Sequence, residues 1–207
     1  RIAERELELI ESDEEIRDAT PCEYRNFLRE ELARTCDVLL GAPDRAIEHL
    51  RNLLADSGES YPRVLDQLRS LYRRTGRHSE LAENLSQHLN GNPGTSAEWL
   101  ELAQLREEKE ANLPAAIDAY RAAEACSQEP LQAIRGRRRC SERLRDWAGL
   151  ADALECEYRE ASALDRRERT TIARRLGDLC WQRLGSGERA AAGYRLALDL
   201  DPDDLEA

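Results

Sequence analysis

The stretch EWLELAQLREEKEANLPAAIDAYRAAEA, Glu98 to Ala125, decides the fold. Apolar residues return in it every three or four positions, which is the period of a helix packed on one side. Nothing in it alternates as a half-buried strand does. The same kind of stripe recurs along the chain. Ala46 and Leu50 open one in DRAIEHLRNLL, and Leu81 and Leu85 open the next thirty-five residues later. Ala116 and Tyr120 follow at thirty-five, Leu150 and Leu154 at thirty-four, Ala190 and Tyr194 at forty. Anchored on tyrosine, the last two intervals become 38 and 36, so the register over 130–165 is open by about a helical turn. Breakers fall between the stripes: Thr20-Pro21, Gly41-Ala42-Pro43, Gly58, Gly76, Asn90 to Gly94, Pro130, Gly185-Ser186-Gly187 and Pro202. A period near 35 with two helices in each unit describes an all-α solenoid.

At this point the sequence resembles the tetratricopeptide repeat family, as a partly degenerate bacterial array. Trp99, Leu102 and Ala103 match the large–large–small pattern of that family's first helix. Ala116, Tyr120 and Ala123 match its second helix, and Ala190, Tyr194, Ala197 and Pro202 match it again in RRLGDLCWQRLGSGERAAAGYRLALDLDPDD. Leu68, Tyr72, Gly76, Leu81 and Leu85 match in an earlier unit. Small residues where helices cross let backbones approach, and an aromatic opposite fills the groove. The resemblance implies one array over 1–207: a right-handed superhelix of antiparallel pairs at 21–57, 61–91, 96–127, 130–164 and 168–202, behind a leading helix at 1–19. That leading helix carries the stripe Ile2, Leu7, Ile10 and reads as the second helix of a preceding unit. DPDDLEA reads as the start of a following one, so the expectation is a section of a longer protein.

Composition narrows the function. The net charge of -11 opposes general binding to nucleic acid. No apolar run is long enough to span a bilayer. Six scattered cysteines with no C-x-x-C read as small buried side chains in a reducing compartment, which places the chain in the cytoplasm, rather than as zinc ligands or disulfides. The three histidines, His49, His78 and His88, come with no nucleophile motif, and there is no glycine-rich phosphate loop. The expectation is therefore no enzyme, no cofactor and no metal site.

A solenoid offers surface, and its first helices line a groove. One stretch breaks the acidic pattern. RGRRRCSERLR, Arg135 to Arg145, holds six arginines and one glutamate. On a helical wheel, Ala133, Gly136, Cys140, Leu144 and Trp147 make a packed side. Arg135, Arg138, Arg139 and Glu142 fall opposite. Leu131 and Ile134 sit off the packed stripe, and Arg137 falls inside it, to lift its head out or meet a carboxylate of a neighbouring helix. The next first helix adds Arg174 and Trp181 on its far side. Two readings stand. In one, Arg135, Arg138, Arg139, Arg174 and Trp181 form a groove for an acidic or carboxylate-bearing peptide or partner helix, because arginine forks suit carboxylates and both residue types are enriched at binding hot spots. In the other, Glu142 pairs with Arg138, Arg139 or Arg145, Asp152, Glu155, Glu157 and Glu160 neutralise the block, and the array is an architectural spacer. Charge reversal at Arg135 and Arg139 is expected to leave stability almost unchanged. A nucleic-acid-binding repeat would want basic residues in every unit, whereas the unit at 96–127 presents Gln104, Glu107 and Glu108.

Overall fold

The computed structural model describes residues 2–57, 62–160 and 165–202. The turn expected at Gly58 and the segment from Asp203 onward lie outside them. Among the described residues every regular element is helical. The chain divides into two compact units, Arg1–Asn84 and Leu85–Ala207.

The first unit opens with α1 (Ile2–Ser12) and α2 (Glu14–Ala19). The expected single leading helix is broken at Asp13. Its carboxylate accepts hydrogen bonds from the Glu15 and Ile16 amides at 3.0 and 3.3 Å, which starts a new helix there. Leu7 and Ile10 of α1 bury against Leu28 and Leu32 of α3 (Cys22–Arg34). Ile2, the third member of the expected stripe, is exposed instead. Arg29 on α3 is buried and ties two helices, donating to the Asn52 carbonyl at 3.1 Å and to Glu11 at 2.7 Å. Helix α3 runs into a π-helical turn over Thr35–Leu39, followed by α4 (Pro43–Ser57) and α5 (Pro62–Thr75). Gly76, at φ +69°, allows the left-handed turn into α6 (His78–Gly91), the helix within which the first unit ends, at Asn84. Arg69 of α5 reaches Asn84 of α6 at 3.2 Å.

The second unit holds α7 (Ser96–Glu108), α8 (Leu113–Cys126), α9 (Leu131–Leu144), α10 (Trp147–Glu160), α11 (Arg166–Gln182) and α12 (Gly187–Leu200). Helix α7 begins in a capping box: Thr95 accepts from the Glu98 amide, and Glu98 accepts from the Thr95 amide. Asn112 caps α8. Each helix packs on its neighbours in sequence, α7 on α8, α8 on α9, and so on to α12. Most residues that carried the repeat resemblance form the core: Leu102, Ala103, Ala116, Tyr120, Ala123, Ala190 and Ala197 are all buried, while Trp99 and Tyr194 are half-buried and Pro202 is exposed. A second cluster joins Leu150 and Leu154 to Ile172, Leu176 and Cys180. Each full burial of a leucine-sized side chain stabilises by about 1.5–3 kcal/mol.

Glycines set the helix spacing. A side chain at Gly136 on α9 would overlap the Tyr120 ring of α8. A Cβ at Gly193 would stand 2.7 Å from the Gly177 backbone nitrogen, so α11 and α12 cross almost backbone to backbone. The wheel for α9 needs two corrections. Ile134 is buried, and Leu144, at the helix end, is exposed.

Candidate functional site

The arginine block occupies α9, and its side chains run to carboxylates on four other helices. Arg137 is buried and grips Glu124 of α8 with both arms of its fork, at 2.6 and 3.1 Å. Arg135 donates to Glu157 of α10 at 3.0 Å and to Glu168 of α11 at 2.7 Å. Arg138 donates to the other oxygen of Glu157 at 2.9 Å. Glu157 is only 1% exposed, so two guanidiniums neutralise a carboxylate that water barely reaches.

A second buried carboxylate lies on the other flank. Glu107 of α7 accepts from the Tyr120 hydroxyl at 2.7 Å and from Arg139 at 3.0 and 3.3 Å, and Arg143 stands 3.5 Å away. Burial pushes the Glu107 carboxyl up, but the bonds from Arg139 and Tyr120 and the two arginine charges outweigh it and hold it below the usual carboxylate value. Burial together with the bond to Glu107 drives the Tyr120 phenol well above its ordinary value. Beneath them, burial near Glu107 raises the Cys140 thiol to about 11, leaving it protonated and unreactive.

The wheel placed Glu107 on the surface and paired Glu142 with Arg138, Arg139 or Arg145. In the structure Glu107 is buried, and Glu142 pairs with Arg175 of α11. Arginines that can reach a buried carboxylate neutralise it first, because leaving that charge unpaired costs more than forgoing an exposed pair. Glu107 is the partner sequence reasoning missed; Glu157 was among the carboxylates expected to neutralise the block, and only its burial was not foreseen. The buried Tyr120 hydroxyl was the available signal, since it needs an acceptor nearby.

These contacts also overturn the expectation that charge reversal at Arg135 and Arg139 is harmless. It would set new carboxylates against buried Glu157 and Glu107.

The five candidate residues do not converge on one pocket: Arg135 and Arg138 reach Glu157, whereas Arg139 reaches Glu107 on the other flank. Arg135 meets Glu168 near the start of α11, and Trp181 lies thirteen residues further along that helix, roughly 20 Å at the helical rise. Arg174 sits half-buried between these points, and Trp181 is 64% exposed. The electrostatics of α9 are one-sided. Four guanidiniums, those of Arg135, Arg138, Arg139 and Arg143, stand over two buried carboxylates, with Glu168 at one edge. The Arg139 side chain remains 51% exposed above a Glu107 side chain that is 7% exposed. Over Glu107 the anion lies beneath and the two cations face outward, whereas at the Glu168 edge the carboxylate is the more exposed partner.

Three of the six cysteines, Cys36, Cys140 and Cys180, are buried, and all six are unpaired thiols. Among the described residues no group of His, Cys, Asp or Glu side chains is placed to hold a metal ion, and no helix is long and apolar enough to cross a membrane.

No protein-family model matches the chain, and no curated protein sequence does. Solved structures do resemble it. The crystal structure of MamA protein is 15% identical, with 86% of this chain and 92% of that one covered at a TM-score of 0.50. YrrB, described as a TPR protein with an unusual peptide-binding site, is 13% identical over 86% of this chain and 88% of its own, at 0.49. A tetratricopeptide repeat protein from Parabacteroides merdae is 16% identical over 86% and 68%, at 0.49. The fold is an all-α helical repeat of the tetratricopeptide type.

Proposed function

We propose that the chain works by binding rather than by catalysis, as a protein-interaction section of a single repeat array, and that the α9–α11 face takes an acidic peptide or partner helix. The observation that carries this reading is the layering on α9, where buried Glu107 and Glu157 hold four arginine forks and the side chains of Arg139 and Arg143 remain half exposed above Glu107. Such forks are already oriented, so a carboxylate arriving from outside orders few new side chains. Arg174 and Trp181, seven residues apart and so on one side of α11, add a further cation and an exposed aromatic ring to this reading.

Anisotropy of a fluorescein-labelled peptide of ten glutamates tests it. Binding is expected to weaken as salt rises. Arg139→Gln combined with Arg174→Gln should weaken it about tenfold, the loss of roughly two charge-assisted contacts. Arg139→Lys keeps the charge over Glu107 but loses the fork, and should fall between. Unchanged affinity in variants that retain their helical circular dichroism would reject the reading. Absence of any binding at low salt would favour a spacer, in which the arginines serve only to clamp helices together.

A further inference from the structure

The first unit carries a feature that the arginine face does not explain. Leu40 donates to the Thr35 carbonyl at 3.1 Å and Ala42 to the Cys36 carbonyl at 2.8 Å, so one extra residue widens the last turn of α3. Cys36 stays buried, while Val38 and Leu39 are pushed outward to 71% and 76% exposure, with Leu40 exposed beside them. Three consecutive exposed aliphatic residues are unusual on a folded surface and mark contact sites. Beside Val38 lies a hollow of about 240 Å³, lined by Ala33, Val38, Leu50 and Leu71 together with the polar side chains of Arg34, Asp37, Gln67 and Ser70. A second apolar hollow, of about 210 Å³, adjoins at Arg34, Val38 and Leu39. Each is smaller than the roughly 300–1,000 Å³ of sites for drug-sized ligands, and suits one side chain instead.

The rim is built of ion pairs whose cations stand outermost. Arg63 of α5 pairs with Glu30 of α3 at 3.7 Å, Arg34 with Glu31 at 2.8 Å, and Arg74 with Asp37. In all three pairs the guanidinium is the more exposed member. An apolar hollow between α3 and α5 is thus bordered by outward-facing cations on a chain that is acidic overall.

We infer that this hollow is an anchor site for a single large aliphatic side chain of a linear peptide whose flanking residues are acidic. The side chain buries against Leu50, Leu71 and Val38, and the flanking carboxylates meet Arg34 and Arg74. This site uses none of the residues of the α9–α11 face and stands or falls separately.

The test uses the full chain and a fluorescein-labelled nonapeptide with one central leucine among aspartates and glutamates, against the same peptide with alanine at the centre. The leucine peptide should bind about tenfold tighter or more, the effect of burying the extra methylenes. Ser70→Trp plugs the hollow from an exposed helical position and should abolish that preference. Val38→Ser with Leu39→Ser, on the exposed lip, should reduce it without touching the core. Leucine-dependent amide shifts should fall on residues 33–39 and 67–71. In an Arg139→Gln variant the ratio between the two peptides should persist, even if both bind more weakly. Equal binding of the two peptides, no binding of either, or a preference that survives Ser70→Trp overturns the inference. So does concentration-dependent self-association that Ser70→Trp abolishes, which assigns the hollow to a second copy.

Discussion

Tyr120 and Tyr194 occupy matching places in two helix pairs, yet they are held differently. Tyr120 is buried, meets Gly136 of the following pair, and donates to a buried glutamate that two arginines also hold. Tyr194 is half-buried, meets Gly177 of its own pair, and donates to Asp178 at 2.9 Å. The repeat pattern specifies the tyrosine in both, and each ring meets a glycine, though on helices differently placed in the array. What differs is the charge around the hydroxyl, and that comes from α9, whose arginines have no counterpart around Tyr194 among the contacts seen there. One motif therefore supports a structural lock at one junction and a lighter contact at the other.

The strongest way to break the comparison is truncation. Tyr120→Ala should cost about 4 kcal/mol, as for other large buried aromatics, and Tyr194→Ala about half that, measured by denaturant unfolding. Equal losses would show that the ring alone matters. Next, Glu107→Ala should cost about 3 kcal/mol because it leaves Arg139 and Arg143 over an emptied site and the Tyr120 hydroxyl without its acceptor, while Asp178→Ala should cost under about 1 kcal/mol. Removing only the hydroxyls narrows the question. Tyr120→Phe should cost about 1.5 kcal/mol and Tyr194→Phe about 0.5 kcal/mol.

The smallest effect is read in acid. The Glu107 carboxyl is held below its ordinary value, so its contribution is present above the unfolded value, roughly 4.3, and is lost as pH falls through the folded one. Glu107→Gln should flatten the acid limb of the stability profile, and an unchanged limb would remove Glu107 from the network. Both phenols are raised, chiefly by burial, so their contribution is complete below about pH 10 and fades as pH rises through the folded values. The alkaline loss should be greater with Tyr120 present than in Tyr120→Phe.

The helix pairs were legible because their signal is local. Leu102, Ala103, Ala116, Tyr120 and Ala123 recur at spacings fixed by the helical period, and all are buried. Arg137 too was legible, since a wheel shows an arginine inside the apolar stripe. The burial of Glu107 and Glu157 was not, though Glu157 is among the carboxylates expected to neutralise the block. Each is decided by cations on another helix, thirty-two residues away for Arg139 and twenty-two for Arg135. A wheel treats a glutamate as solvated unless its own helix says otherwise. The break at Asp13 was missed for a related reason, because an aspartate among other acids looks like surface until its capping geometry is seen. The widened turn at Thr35–Leu39 left no period to detect, being a single inserted residue.

Helices α7 to α12 each pack on their neighbours in sequence, so the second unit can melt from an end, one pair at a time, like a zipper. The Glu107 cluster fastens α7, α8 and α9 across the seam between two pairs. A fraying front that travels inward from α12 would stall at that seam. Amides of α7 and α8 should accordingly exchange with deuterium far more slowly than those of α11 and α12, and the gradient should soften when Glu107 is removed.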